Sequence, residues 1–260
     1  MTVSKPLRIL LTTYTLSRRS GGEMHVYDLA CELLRLGQLP VVYSTEFGPV
    51  GRDLRVASVP VVTDLRQLAV EPDVIHSNYP GETLSTLFYF PRTPLIHTCH
   101  GFVGDEAKPL PLSRILRYVA VDETVHDRLV CQEGISPARA TVIPNWVDTR
   151  RFAPRNPLPD RPQRVLLFGN AVGLQGQWQR PVIQFCRRQG WEVERIGDGL
   201  PRHEAQPAEV LGQFDLVFAK GKSAMEAMAT GCAVVLAGPA GLGPMVTPEN
   251  FHALRKVNFG

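Results

Sequence analysis

Short apolar runs alternate with segments of helical period along almost the whole chain, and this alternation limits the fold more than any other feature of the sequence. The run from Arg8 to Tyr14 reads as a buried strand. After Gly21-Gly22, the segment from Glu23 to Arg35 sets Val26, Leu29, Ala30, Leu33 and Leu34 at helical spacing, with Gly37 as the stop. Residues 41–43 return to an apolar strand. Strand, helix and strand in that order make the βαβ unit of a parallel sheet. The pattern goes on with strands at 73–76, 95–98, 118–121 and 141–143 and helices at 83–90 and 124–132.

Pro154, Pro157, Pro159 and Pro162 then interrupt it, since prolines this close together suit neither a helix interior nor a central strand. The alternation restarts with strands at 165–168, 192–196, 216–219 and 233–236 and helices at 178–188 and 223–230. The expected fold is α/β, with two Rossmann-like doubly wound units, the second incomplete. The expected divisions are a first domain at 1–153, a linker at 154–162 and a shorter second domain at 163–260.

Bulk properties narrow the class. The chain is 44% apolar and 20% charged, enough for a packed core and too apolar for disorder. No apolar run is long enough to span a bilayer, and the first residues lack the layout of a signal peptide. The five cysteines are scattered, as in a reduced, cytoplasmic protein. A net charge of +3 is too small to imply nucleic acid. It leaves open an anionic ligand or a peripheral contact with the inner face of a membrane.

In open parallel sheets, ligands bind at the carboxyl ends of the strands. Gly21-Gly22 lies in such a loop, where it serves either a close backbone approach to a phosphate or a plain tight turn. Lys220, Gly221, Lys222 and Ser223 lie between a strand and a helix, and read either as a diphosphate cradle or as a solvated loop with Ser223 as N-cap. Glu226 reads as a first-turn carboxylate facing the helix dipole or as a ligand contact. The dinucleotide fingerprint and the Walker A spacing are both missing. His97 and His100 have the spacing of metal ligands, but no third ligand stands near them in sequence, so no metal is expected. A single histidine acting as hydrogen-bond donor or acid/base fits better. His76 and His25 read as core or cleft residues.

Taken in order, these segments resemble family-four glycosyltransferases of the GT-B fold. Gly21-Gly22-Glu23 through Gly37 resemble the family's first phosphate loop and helix. Pro72-Asp73-Val74-Ile75-His76-Ser77 and His97-Thr98-Cys99-His100-Gly101 resemble its next two strand motifs. Val142 to Asp148, with Phe152-Ala153-Pro154, resembles the stretch that closes its first domain. Ile196-Gly197-Asp198-Gly199 and Met225 to Val235 resemble two motifs of its second domain.

The resemblance implies a nucleotide-sugar donor, an unidentified acceptor, retention of anomeric configuration, and neither metal nor cofactor. The first domain would take the acceptor and the second the donor. His100 is the catalytic candidate, facing the reacting sugar. Gly21, Gly22, Gly197, Asp198, Gly199, Lys220, Lys222 and Ser223 would lie around the donor, Glu226 at its ribose, and Asn145 and Asn170 in the cleft.

Four departures accompany the likeness. Phe218 stands where the family has a second glutamate, so the stretch from Asp215 to Glu226 resembles the compact loop of the lipid-linked N-acetylglucosaminyltransferases. Gly169-Asn170 lacks the basic pair that usually follows, which Lys220 or Lys222 would replace. Asn145-Trp146 replaces Asn-Gly. The sequence stops at Gly260, before the family's closing helices, which implies an apolar face on the second unit, covered by the first domain or by another subunit in a homo-oligomer. Two other readings stay open: a nucleotide-binding protein without transfer activity, and a GT-B sugar-nucleotide epimerase, for which no clear acid/base carboxylate pair is visible.

Overall fold

In the computed structural model, which describes residues 5–101, 108–155, 157–172, 178–197, 200 and 206–260, the first apolar run forms β1 (Arg8–Thr12). Ile9 and Leu11 point into one core and Leu10 into another, so the strand is covered on both faces. That is why it reads as a continuous apolar run instead of an alternating one. The chain then runs through α1 (Gly21–Arg35), β2 (Leu39–Tyr43), α2 (Pro49–Val56), β3 (Val61–Val62), β4 (Val74–Ser77), α3 (Pro80–Tyr89), β5 (Leu95–Cys99), β6 (Ile115–Ala120), α4 (Glu123–Asp127) and β7 (Ala140–Val142). These strands form one parallel sheet in the order β3-β2-β1-β4-β5-β6-β7. The order reverses between β1 and β4, and that switch point is where doubly wound sheets bind ligands.

A second unit contains β8 (Arg164–Phe168), α5 (Gln179–Arg188), β9 (Glu192–Ile196), α6 (Pro207–Val210), β10 (Leu216–Ala219), α7 (Gly221–Ala229), β11 (Ala233–Gly238), β12 (Gly241–Met245) and α8 (Pro248–Lys256). Its strand order is β12-β11-β10-β8-β9, parallel except for β12. Leu166, Phe168, Val217 and Val234 face one core, and Val165, Leu167, Leu216 and Phe218 the other. Here the order switches between β8 and β10.

The two units comprise residues 1–144 and 145–260, so the second begins ahead of the proline cluster expected to divide the domains. The reason is packing. Phe152 is buried in the second unit's core. The Arg155 backbone N–H donates to the Thr230 carbonyl at 2.8 Å, and its guanidinium pairs with Asp215 at 2.9 Å. Asp215 also accepts from the backbone N–H groups of Gln163 and Arg164, at 2.8 and 2.9 Å. Both ends of the proline segment are thus fastened to the second unit.

Several elements differ from the sequence reading. β1 stops at Thr12, and Tyr14 is exposed. The helix expected over 124–132 is a short α-helix that loosens into a π-turn at Arg128–Gln132. α2, β3, β12 and α8 lie in stretches too short or too polar to carry a clear period. On the second unit, α8 and the buried Phe259 close over part of the core, while Leu242 and Met245 on β12 remain exposed. Among the described residues, no helix is long and apolar enough to cross a membrane.

Candidate active site

At the switch point of the first sheet, three strand ends bring polar side chains together. Asn78 follows β4 and is buried. Its Nδ2 donates to the carbonyl of Thr12, the last residue of β1, at 2.6 Å. Its Oδ1 lies 2.8 Å from Nε2 of His100, just beyond β5. The His100 ring packs edge-on against His25 of α1 at 4.6 Å between centroids and lies roughly parallel to Tyr79 at 6.4 Å. The Thr12 hydroxyl, also buried, has no hydrogen-bond partner among the described residues.

Gly22 has a structural reason to be glycine. A Cβ there would lie 2.3 Å from the Tyr79 hydroxyl oxygen. Gly21, the first residue of α1, has open space at the same position. The two glycines therefore differ: one makes room for a tyrosine, the other leaves the helix N-terminus uncovered. Glu23 is buried in the first turn of α1 and accepts a hydrogen bond from the Ser20 hydroxyl. Burial raises its pKa, partly offset by that bond.

The other two histidines of the motifs turn elsewhere. His76 Nε2 lies 2.6 Å from the Thr98 hydroxyl, and His97 Nδ1 lies 2.8 Å from Ser77 and 3.2 Å from Thr83. Burial depresses His76 to about 4. His97 falls to about 3, through burial first and then through His100 and His76. Both rings are neutral at ordinary pH. His97 and His100 face different partners, and among the described residues no three His, Cys, Asp or Glu side chains stand together as a metal site.

These depressed pKa values have a consequence for stability. An unfolded histidine titrates near 6.5, so between about pH 6.5 and 4 the unfolded chain binds protons that the folded first unit does not. Stability is complete above that window and falls as pH drops through it, by up to about 1.4 kcal/mol per pH unit for each histidine. Glu23 and Glu82, whose carboxyl pKa values burial raises, act in the opposite sense. The histidine share is therefore read by comparing melting temperatures at pH 7 and pH 5 for the wild type and a His76→Gln/His97→Gln variant. The wild type is expected to lose more on acidification; equal losses would mean that the rings are not neutral and buried.

On the second unit, glycines stand at or just after four neighbouring strand ends. Gly169 follows β8, Gly197 follows β9, Gly221 opens α7 after β10, and Gly238 ends β11. A Cβ on Gly197 would lie 2.3 Å from the Gly169 carbonyl oxygen. A Cβ on Gly169, itself at φ +122°, would lie 3.2 Å from the Ser223 hydroxyl oxygen. A Cβ on Gly238 would lie 2.7 Å from Cδ of Lys220. Gly197, Gly169, Ser223 and Lys220 are thus brought together at the carboxyl edge of the sheet. Asn170 begins a 3-10 turn beside them and is exposed. Asp198 and Gly199 lie outside the described residues.

The helix after β10 corrects two expectations. The N-cap of α7 is Lys220, not Ser223, and Glu226 is buried beyond the first turn, which contains no acidic residue. The dipole argument for Glu226 therefore fails. Lys222 Nζ lies 3.4 Å from the Trp146 carbonyl oxygen. The Asn145 carbonyl accepts from Arg255 of α8, so the first residues of this unit are fastened beneath α7 and α8. The Gly221 N–H donates to the Phe259 carbonyl at 2.8 Å, which satisfies one of the helix's initial donors. Phe218 lies within β10, buried against Trp178. Sequence reasoning missed Asn78, Tyr79, Gly169 and Gly238 as site residues; only the position of the two glycines at apolar run ends could have marked them.

The sequence profile described as Glycosyltransferase Family 4 matches residues 19–151. No curated protein matches the chain. Solved structures do. A glycosyltransferase from Rickettsia africae has 14% identity and a TM-score of 0.65, over 89% of this chain and 79% of that one. Anabaena HepE, solved with UDP and glucose, has 17% identity and a TM-score of 0.69, over 90% and 82%. MurG of Acinetobacter baumannii has 13% identity and a TM-score of 0.52, over 98% and 83%. At such identities the likeness is one of fold. The profile match spans half the chain, from just before α1 to the start of the second unit, and the two doubly wound sheets share the fold of these enzymes: the chain belongs to glycosyltransferase family 4, with the GT-B fold.

Proposed function

We propose that this protein transfers a sugar from a nucleotide-sugar donor to an acceptor, with retention and without a metal. The second unit takes the nucleotide and the first takes the acceptor. The observation that carries the reading is the carboxyl edge of the second sheet. Gly169 and Gly197 let two loop backbones come within contact of each other, and Lys220 and Lys222 flank the start of α7. A diphosphate leaving group accumulates negative charge as the glycosidic bond breaks. Ammonium groups and a helix N-terminus beside it stabilise that charge. Because the Phe259 carbonyl takes one of the first N–H groups of α7, the lysines carry more of this task than the helix does. Glu226 is assigned to the ribose, since its carboxylate would repel a phosphate. The HepE structures with UDP and UDP-glucose support uridine diphosphate sugars as the first donors to try.

A thermal-shift panel of nucleotide diphosphates and nucleotide sugars tests the reading, because a ligand of the native state raises the melting temperature by mass action. One base and one sugar are expected to stand out, and the matching donor to be hydrolysed slowly without acceptor. Binding with no turnover under any acceptor would favour a nucleotide-binding protein instead. Replacing Lys220 and Lys222 together with alanine is expected to weaken nucleotide diphosphates by about 1–3 kcal/mol per charge-assisted bond removed. Glu226→Ala should weaken UDP more than its 2′,3′-dideoxy analogue. Unchanged affinity in the double lysine variant would move the donor site elsewhere.

A further inference from the structure

The hydrogen bonds across the first switch point determine which nitrogen of His100 carries its proton. The Thr12 carbonyl can only accept, so the end of the Asn78 amide that meets it, at 2.6 Å, is the NH2 group. The opposite end is then the carbonyl oxygen Oδ1, which also can only accept. It lies 2.8 Å from His100 Nε2, so Nε2 is the donor in that bond. In a neutral imidazole, one nitrogen donates and the other accepts. With the hydrogen on Nε2, Nδ1 is the acceptor.

We propose that Asn78 is a positioning residue that holds His100 as the Nε2–H tautomer, so that Nδ1 is the unprotonated nitrogen of the ring. This rests on the reading of His100 as the residue that faces the transferred sugar. Three contacts support it. Asn78 is buried, so its amide exchanges its partners for water only at a cost. The His25 and Tyr79 rings both pack near the imidazole, with centroids 4.6 and 6.4 Å away. The Asn78 anchor is main chain at the end of β1, an interior strand of the sheet, and not a side chain free to turn.

Nuclear magnetic resonance of the 15N-histidine-labelled protein tests this without any turnover. At about pH 8, where an ordinary imidazole is neutral, the wild-type His100 signals should show a protonated Nε2 and an unprotonated Nδ1. In Asn78→Ala, the Nε2 proton should exchange with solvent about tenfold faster, the factor expected for one lost hydrogen bond. A wild-type spectrum with the proton on Nδ1 would overturn the proposal whatever the variant does. So would an Asn78→Ala spectrum and exchange rate identical to wild type. If the spectra agree with the proposal while His100→Ala transfers sugar normally, the tautomer assignment stands and the role of His100 fails separately.

Discussion

Replacing His100 with alanine is expected to lower turnover by about 10²-fold or more while changing the affinity for a nucleotide diphosphate by less than about threefold. The contrast follows from where the groups lie. His100 sits at the carboxyl edge of the first sheet, whereas Gly169, Gly197, Lys220 and Lys222, proposed for the nucleotide, belong to the second unit. A side chain that meets the sugar as its bond to the diphosphate breaks contributes mostly in the transition state, so its loss appears in kcat and not in ground-state binding. The surroundings of the ring make the experiment clean. Asn78 keeps its bond to the Thr12 main chain in the variant, and the neighbouring His76 and His97 have hydroxyl partners of their own. Turnover is measured as donor hydrolysis and transfer, and affinity by calorimetry with the diphosphate that the thermal-shift panel selects. Equal losses in both would indicate damage to the fold. Unchanged turnover would make His100 a structural residue only.

The second large effect is expected at Phe259. Its side chain is fully buried in the core formed by Phe152, Leu166, Val217 and Met225, with its ring 5.3 Å from that of Phe251. Asn258 and Phe259 both adopt φ of 56°, a left-handed conformation that a bulky residue enters only when other contacts compensate. Burial of the ring is that compensation. The turn it secures lets the Phe259 carbonyl meet the first N–H of α7. Phe259→Ala removes the ring and leaves a cavity, so the second unit should lose about 3–5 kcal/mol. The reporter is built in, because the three tryptophans, Trp146, Trp178 and Trp191, all lie in this unit. Urea denaturation followed by tryptophan fluorescence should show the midpoint shifting strongly, and the nucleotide-diphosphate site weakening as the start of α7 loosens. A shift worth less than about 1 kcal/mol would mean that this turn packs loosely and that α7 is secured by other contacts.

The sequence by itself determined the α/β class and the two sheets, and it singled out strand ends as candidate ligand sites. Strands covered on both faces are apolar on both, so the runs 9–11, 165–168 and 216–219 stand out without any partner in view. Edge elements do not have this property. β12 is exposed along most of its length, and α8 buries none of its residues fully, so neither left a readable signal. The unit boundary was hidden for another reason. Prolines mark where regular structure stops, but whether such a segment links two bodies or lies on one of them depends on contacts such as those of Phe152 and Arg155, which are remote in sequence. The same distinction runs through the site. Gly22, Gly197 and Lys220 could be selected from their positions after strands. That Gly22 makes room for Tyr79, that Gly197 meets Gly169, and that Asn78 joins Thr12 to His100 was decided by the tertiary structure alone. Parallel strands adjacent in the sheet are distant in the chain, so the groups at their ends meet only once the sheet has formed.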